Sequence, residues 1–197
     1  MTLANKITLG RLALALVTFG CLWVQRPALY VAALALYLLA TATDWIDGWL
    51  ARRTHSVSPF GAMADPVADK VLVIGALIAF VRIPHLDVPT WAVFLIIVRE
   101  LVITALRALA GLQGLMIPAD RGGKLKMAIQ SAAVLIILGI LVARGYRLIP
   151  AWTWLDAIPY YLVVLSMLVS VLSGIQYIRN ARHVLRATWN APRRKRR

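Results

Sequence analysis

The sequence predicts an all-α integral membrane protein with six transmembrane helices. Of its 197 residues, 61% are apolar, and its mean hydropathy is +0.76. Apolar runs near the roughly 20 residues that cross a bilayer follow one another with only short polar breaks. No stretch is long enough for a separate soluble domain. Residues 1–197 therefore read as a single transmembrane domain with a basic cytoplasmic tail at about 179–197.

The first span is Ile7–Val24. It is expected to stay in place rather than be cleaved, because further spans follow and no small-residue cleavage site closes it. Pro27 breaks the chain before the second span, Ala28–Leu50, and the third is Phe60–Val81. Pro84 and Pro89 mark the approach to the fourth, Val88–Ala110; Pro118 precedes the fifth, Leu125–Val142. Proline is tolerated at such breaks, where its missing backbone donor costs little. The sixth span, Ala157–Ile178, follows Pro150, and Pro159 is expected in its first turn. Trp152, Trp154, Tyr160 and Tyr161 form a belt of the kind found at a membrane surface.

Net charge is +14, but its placement argues against nucleic acid as a partner. Arg193, Arg194, Lys195, Arg196 and Arg197 end the chain, and Arg179, Arg182 and Arg186 precede them. A basic cluster directly after a membrane helix marks the cytoplasmic face and meets anionic lipid head groups. With both termini inside, all of the 22 Lys and Arg except Arg26, Arg82, Arg144 and Arg147 fall on the cytoplasmic side. The expected location is the inner (cytoplasmic) membrane. Cys21 is the lone cysteine, so neither a disulfide framework nor a Cys metal site is expected.

The chain has eight acidic residues. Asp44 and Asp47 close the second span, while Asp65 and Asp69 open the third. Spacings of three and four put each pair on one helix face. The intervening loop lets the two helices run antiparallel and bring the four carboxylates together. A carboxylate at membrane depth costs about 2.5–3.5 kcal/mol on insertion scales, and four in proximity also repel. Two divalent cations would offset that cost, and hard oxygen donors suit Mg²⁺ or Mn²⁺. The plainer alternative is neutralisation by Arg52, Arg53 and Lys70, which would not need four acids in this arrangement. Gly48, Ala51 and Gly61 are small residues beside the acids, where a ligand can approach closely.

At these positions the chain resembles the CDP-alcohol phosphotransferases. It fills every fixed position of D-x2-D-G-x2-A-R-x8-G-x3-D-x3-D, with Asp44, Asp47, Gly48, Ala51, Arg52, Gly61, Asp65 and Asp69. The resemblance implies the six-helix fold of that family, two Mg²⁺ ions (or Mn²⁺) and a homodimer. It also implies that Asp44, Asp47 and Asp65 hold the metals, with Asp69 near the second ion and serving as catalytic base. Gly48, Ala51, Arg52, Gly61 and Ser58 would contact the CDP-linked lipid. CDP-diacylglycerol would be one substrate and CMP the leaving group.

The motif does not identify the acceptor alcohol. Asn5, Thr8 and Arg11 are similar to the N-x-x-T-x-x-R opening of the phosphatidylglycerophosphate synthases within the family. Asn5 and Thr8 would then bind nucleotide, or else cap the first helix. Asp65-Pro66-Val67-Ala68-Asp69-Lys70 matches their D-P-x-A-D-K form. Arg99-Glu100, Arg107 and Gly123-Lys124-Leu125-Lys126 through Gln130 resemble their R-E…R…G-K-x-K-T-x-x-Q segments, with Met127 in place of threonine. Glycerol 3-phosphate is thus the expected acceptor, and Arg107, Lys124, Lys126 and Arg99 are candidates for its phosphate. Arg99 has a second reading as an internal partner of Glu100, and Lys124 and Lys126 one as markers of a helix end.

Other members of the family use phosphatidylglycerol, inositol phosphate or serine. A cation channel or transporter lined by the four acids is a reading from another class. It predicts polar residues at depth in several spans, whereas Val71–Val81 and Val134–Val142 are almost wholly apolar. His55 is tempting as a catalyst, but it reads more simply as a solvated loop residue.

Overall fold

The computed structural model describes residues 3–54, 59–112, 121–150 and 154–182, and for residues 3–8, 44–54, 59–66, 69, 112 and 121 it describes the backbone alone. Ser58, His55, Trp152 and the chain beyond residue 182 lie outside the described residues.

The described residues form six long helices: α1 (Leu3–Val24), α2 (Pro27–Thr54), α3 (Pro59–Val81), α4 (Thr90–Leu112), α5 (Arg121–Gly145) and α6 (Ile158–Asn180). Each coincides with one of the six expected apolar runs to within a few residues, α4 starting at Thr90 rather than Val88 and α6 at Ile158 rather than Ala157. The short 3-10 turns Pro84–Leu86 and Trp154–Asp156 precede α4 and α6. Pro159 does sit in the first turn of α6, where its fixed φ suits a helix start and no donor is missed. By length and composition, Gly122–Gly145 and Trp154–Asn180 are apolar enough to cross a membrane.

The helices alternate in direction. Arg82, just past the end of α3, donates to the Trp23 carbonyl at the end of α1 (3.3 Å) and lies over the Trp23 ring at 3.9 Å. At the same end, Gly145 of α5 meets Pro27 of α2 with no space for a side chain. Arg144 pairs there with Asp156, just before α6. The ends of α1, α3 and α5 thus gather with the starts of α2 and α6. The opposite end of the bundle collects the starts of α1, α3 and α5 and the ends of α2 and α6.

α1 packs on both α2 and α3; α5 packs on α2 and α6, and α4 on α6. Buried positions recur at helical spacing: Arg11, Ala15, Thr18 and Leu22 on α1, and Tyr30, Ala33, Tyr37 and Ala40 on α2. Alanines at these positions let the backbones approach closely. Polar side chains sit inside, with Arg11, Thr18, Glu100, Lys126, Gln130, Ser166, Ser170 and Ser173 all buried. The outer faces are apolar: Phe94 is 61% exposed, Leu101 66% and Leu172 64%. That inversion suits a molecule whose solvent is lipid.

Candidate active site

Alternation places both acidic segments at one end. Asp44 and Asp47 lie in the last three turns of α2, while Asp65 and Asp69 lie in the first three of α3. Gly48, Ala51 and Arg52 continue α2 beyond its acids, Gly61 is near the start of α3, and Asn5 and Thr8 are in the first two turns of α1. These residues are described by backbone alone, which brings their helix ends to the same rim of the bundle. α1, which packs on both acid-bearing helices, is the element between them.

Beneath that rim, side chains from three helices meet at Glu100 of α4. Its Oε1 accepts from Arg99 Nη1 at 2.8 Å and from Lys126 Nζ of α5 at 2.5 Å. Its Oε2 faces Lys70 Nζ of α3 at 3.8 Å. Glu100 and Lys126 are each 6% exposed. Lys70 Nζ also contacts the Thr104 hydroxyl, which itself donates to the Glu100 carbonyl one turn back (2.7 Å).

Arg99 extends from α4 to α6. Its Nε donates to the Ser170 carbonyl (3.1 Å) and its Nη2 to Ser173 Oγ (2.8 Å). Gly174 makes room for it, since a Cβ there would lie 2.9 Å from Arg99 Cγ. Two turns further along α4, the exposed Arg107 places its guanidinium 5.3 Å from the ring centroid of the buried Tyr177, within cation–π range. Lys124 is exposed, two residues before Lys126 in α5.

The four basic candidates thus divide. Arg99 and Lys126 are held by Glu100 inside the bundle, whereas Arg107 and Lys124 face outward. Gln130 Nε2, Ser166 Oγ, Ser170 Oγ and Tyr177 OH are buried with no hydrogen-bond partner among the described residues. Thr104, Ser170, Ser173 and Tyr177 were not singled out from the sequence. Their signal was faint but present, since Ser166, Ser170, Ser173 and Tyr177 fall on one face of α6 at spacings of four, three and four. A cavity of about 580 Å³ lined by Gln25, Tyr30, His85, Arg144 and Arg147 lies at the opposite end of the bundle, away from the acids.

Residues 1–175 match the CDP-alcohol phosphatidyltransferase family. Over 148 residues the chain is 40% identical to the CDP-diacylglycerol--glycerol-3-phosphate 3-phosphatidyltransferase of Bacillus subtilis, covering 69% of this chain and 76% of that one. It is 34% identical to the protein of the same name from Pseudomonas fluorescens, over 92% of this chain and 90% of the relative. A cardiolipin synthase (CMP-forming) of Oryza sativa is 30% identical over 94% of this chain and 59% of its own length.

Proposed function

This chain belongs to the CDP-alcohol phosphatidyltransferase family, and we propose that it is a phosphatidylglycerophosphate synthase. It transfers the phosphatidyl group of CDP-diacylglycerol to glycerol 3-phosphate and releases CMP, a step of phospholipid biosynthesis. One observation supports this reading above the rest. A buried cluster rich in cations lies on the same side of the bundle as the ends that bear the four aspartates.

In this reading Asp44, Asp47, Asp65 and Asp69 hold two Mg²⁺ ions, with Mn²⁺ an acceptable substitute. The donor set suits them, being four carboxylates on two helix ends that share a rim. The side chains of these four aspartates lie outside the described ones, among which no group of three or more His, Cys, Asp and Glu could hold a metal. Bound ions supply charge neutralisation for the pyrophosphate and for the departing CMP.

Asp69 takes the proton from the acceptor hydroxyl, whose oxygen forms a bond to the lipid-bearing phosphorus. The bond from that phosphorus to the bridging oxygen breaks, and CMP departs with the electron pair. Gly48, Ala51, Arg52, Ser58, Gly61, Asn5 and Thr8 receive the CDP-lipid. Arg107 and Lys124 meet the acceptor phosphate from the open side, and Lys126, steadied by Glu100, meets it from within; Arg99 braces α4 on α6.

The protein sits in the inner (cytoplasmic) membrane as a single six-span catalytic domain. Termini, basic tail and active site face the cytoplasm, and anionic lipids contact the tail. The family resemblance supports a homodimer. Purified protein with Mg²⁺, CDP-diacylglycerol and one acceptor at a time tests the assignment, and CMP should appear with glycerol 3-phosphate. The rice relative favours phosphatidylglycerol as the alternative acceptor. CMP release with that lipid alone, with inositol phosphate alone or with serine alone would reassign the reaction within the family.

A further inference from the structure

The cluster beneath the aspartate-bearing rim has an imbalance of charge. Three cations, Arg99, Lys126 and Lys70, share one carboxylate, that of Glu100. Among the described side chains the cluster therefore carries two positive charges in excess. A desolvated excess of like charge is costly unless a further anion balances it.

The partners are not equivalent. Each of the three nitrogens of Arg99 already has a partner, in the Ser170 carbonyl, Glu100 and Ser173. Lys126 has a short bond to Oε1, with a second and a third ammonium donor left over. Lys70 lies beyond hydrogen-bond distance from Oε2, is partly exposed and has a hydroxyl as its near contact. Lys70 also follows Asp69 directly in α3. The uncommitted positive charge therefore lies on the Lys70 and Lys126 side of the cluster.

The geometry points to Glu100 as a positioning residue for the acceptor, acting through these two lysines. Its carboxylate fixes Lys126 on one oxygen and draws Lys70 with the other, so two ammonium groups from different helices are pre-set for a phosphate monoester dianion. Removing the carboxylate leaves two neighbouring ammonium groups to repel each other and lose their alignment. This deepens the proposed reaction and rests on it.

Steady-state kinetics on Glu100→Gln, Glu100→Asp and Lys126→Gln, in mixed micelles with each substrate varied in turn, test the inference. Glu100→Gln should raise the KM for glycerol 3-phosphate about tenfold or more, the loss expected of a charge-assisted hydrogen bond. The KM for CDP-diacylglycerol should stay within about twofold. Glu100→Asp keeps the charge on a shorter arm and should recover part of the loss. It also decides the matter should Glu100→Gln fail to fold. Combined with Lys126→Gln, Glu100→Gln should add less than its separate effect, because both act on one ammonium.

An unchanged glycerol 3-phosphate KM in a folded Glu100 variant overturns the positioning role and leaves the proposed reaction standing. So does an equal rise in both KM values, which marks a merely structural residue. If the wild type itself releases CMP only with another acceptor, the reaction falls instead, and the two failures are told apart.

Discussion

Gly174 of α6 and Arg99 of α4 occupy space that only a glycine permits. A Cβ at position 174 would stand 2.9 Å from Arg99 Cγ and 3.2 Å from its Nε. The guanidinium beyond is already tied to Ser170, Ser173 and Glu100. Gly174→Ala must displace the stem of Arg99, at a cost of about 1–3 kcal/mol for overpacking. Thermal unfolding in detergent should reveal it, and an unchanged midpoint would mean that Arg99 has somewhere else to go.

Gly145→Ala supplies a contrast at the opposite end. Its new methyl would lie 2.9 Å from Pro27 Cβ and 3.2 Å from Pro27 Cα, on a rigid ring and backbone. The same range of about 1–3 kcal/mol applies. The site is remote from the aspartate-bearing ends, so KM for both substrates should remain at wild-type values. A selective rise in either KM would link the two ends of the bundle.

Asp69→Asn should abolish turnover while retaining part of the metal binding, because an amide still offers a carbonyl oxygen but takes no proton at neutral pH. Mn²⁺ binding followed by paramagnetic resonance, alongside CMP release, separates the two functions. Full activity in this variant would remove Asp69 from the role of base.

Arg107→Ala should chiefly raise the KM for glycerol 3-phosphate, by about tenfold for the loss of one charge-assisted contact. It also removes the cation from the face of Tyr177, worth about 0.5–1 kcal/mol at an exposed site. A raised KM for CDP-diacylglycerol alone would move Arg107 to the nucleotide-lipid side.

The helices and their order were legible in the sequence because apolar runs, proline breaks and basic flanks are local signals. Pro159 opening α6 is an instance: one residue announced a helix start, and the fold puts it there. The placement of α1 against both α2 and α3 was not legible, since nothing local to either acidic segment specifies a third helix beside it. Glu100 was visible as half of an Arg-Glu pair. Its contact with Lys126 joins positions 26 residues apart, and its facing of Lys70 depends on how α3 meets α4. Such cross-helix encounters leave little periodic trace. The aspartates were conspicuous for the opposite reason, as acids crowded into a chain that has few.

A molecule with charges at its centre and hydrocarbon on its skin gains little from excluding water while it remains in a bilayer, since the surrounding chains are as oily as its own exterior. Its cohesion falls to close fit and to the inner seam where Arg99, Glu100 and Lys126 interlock. Short-chain detergents that let water into this seam should inactivate the protein well before its individual helices unwind.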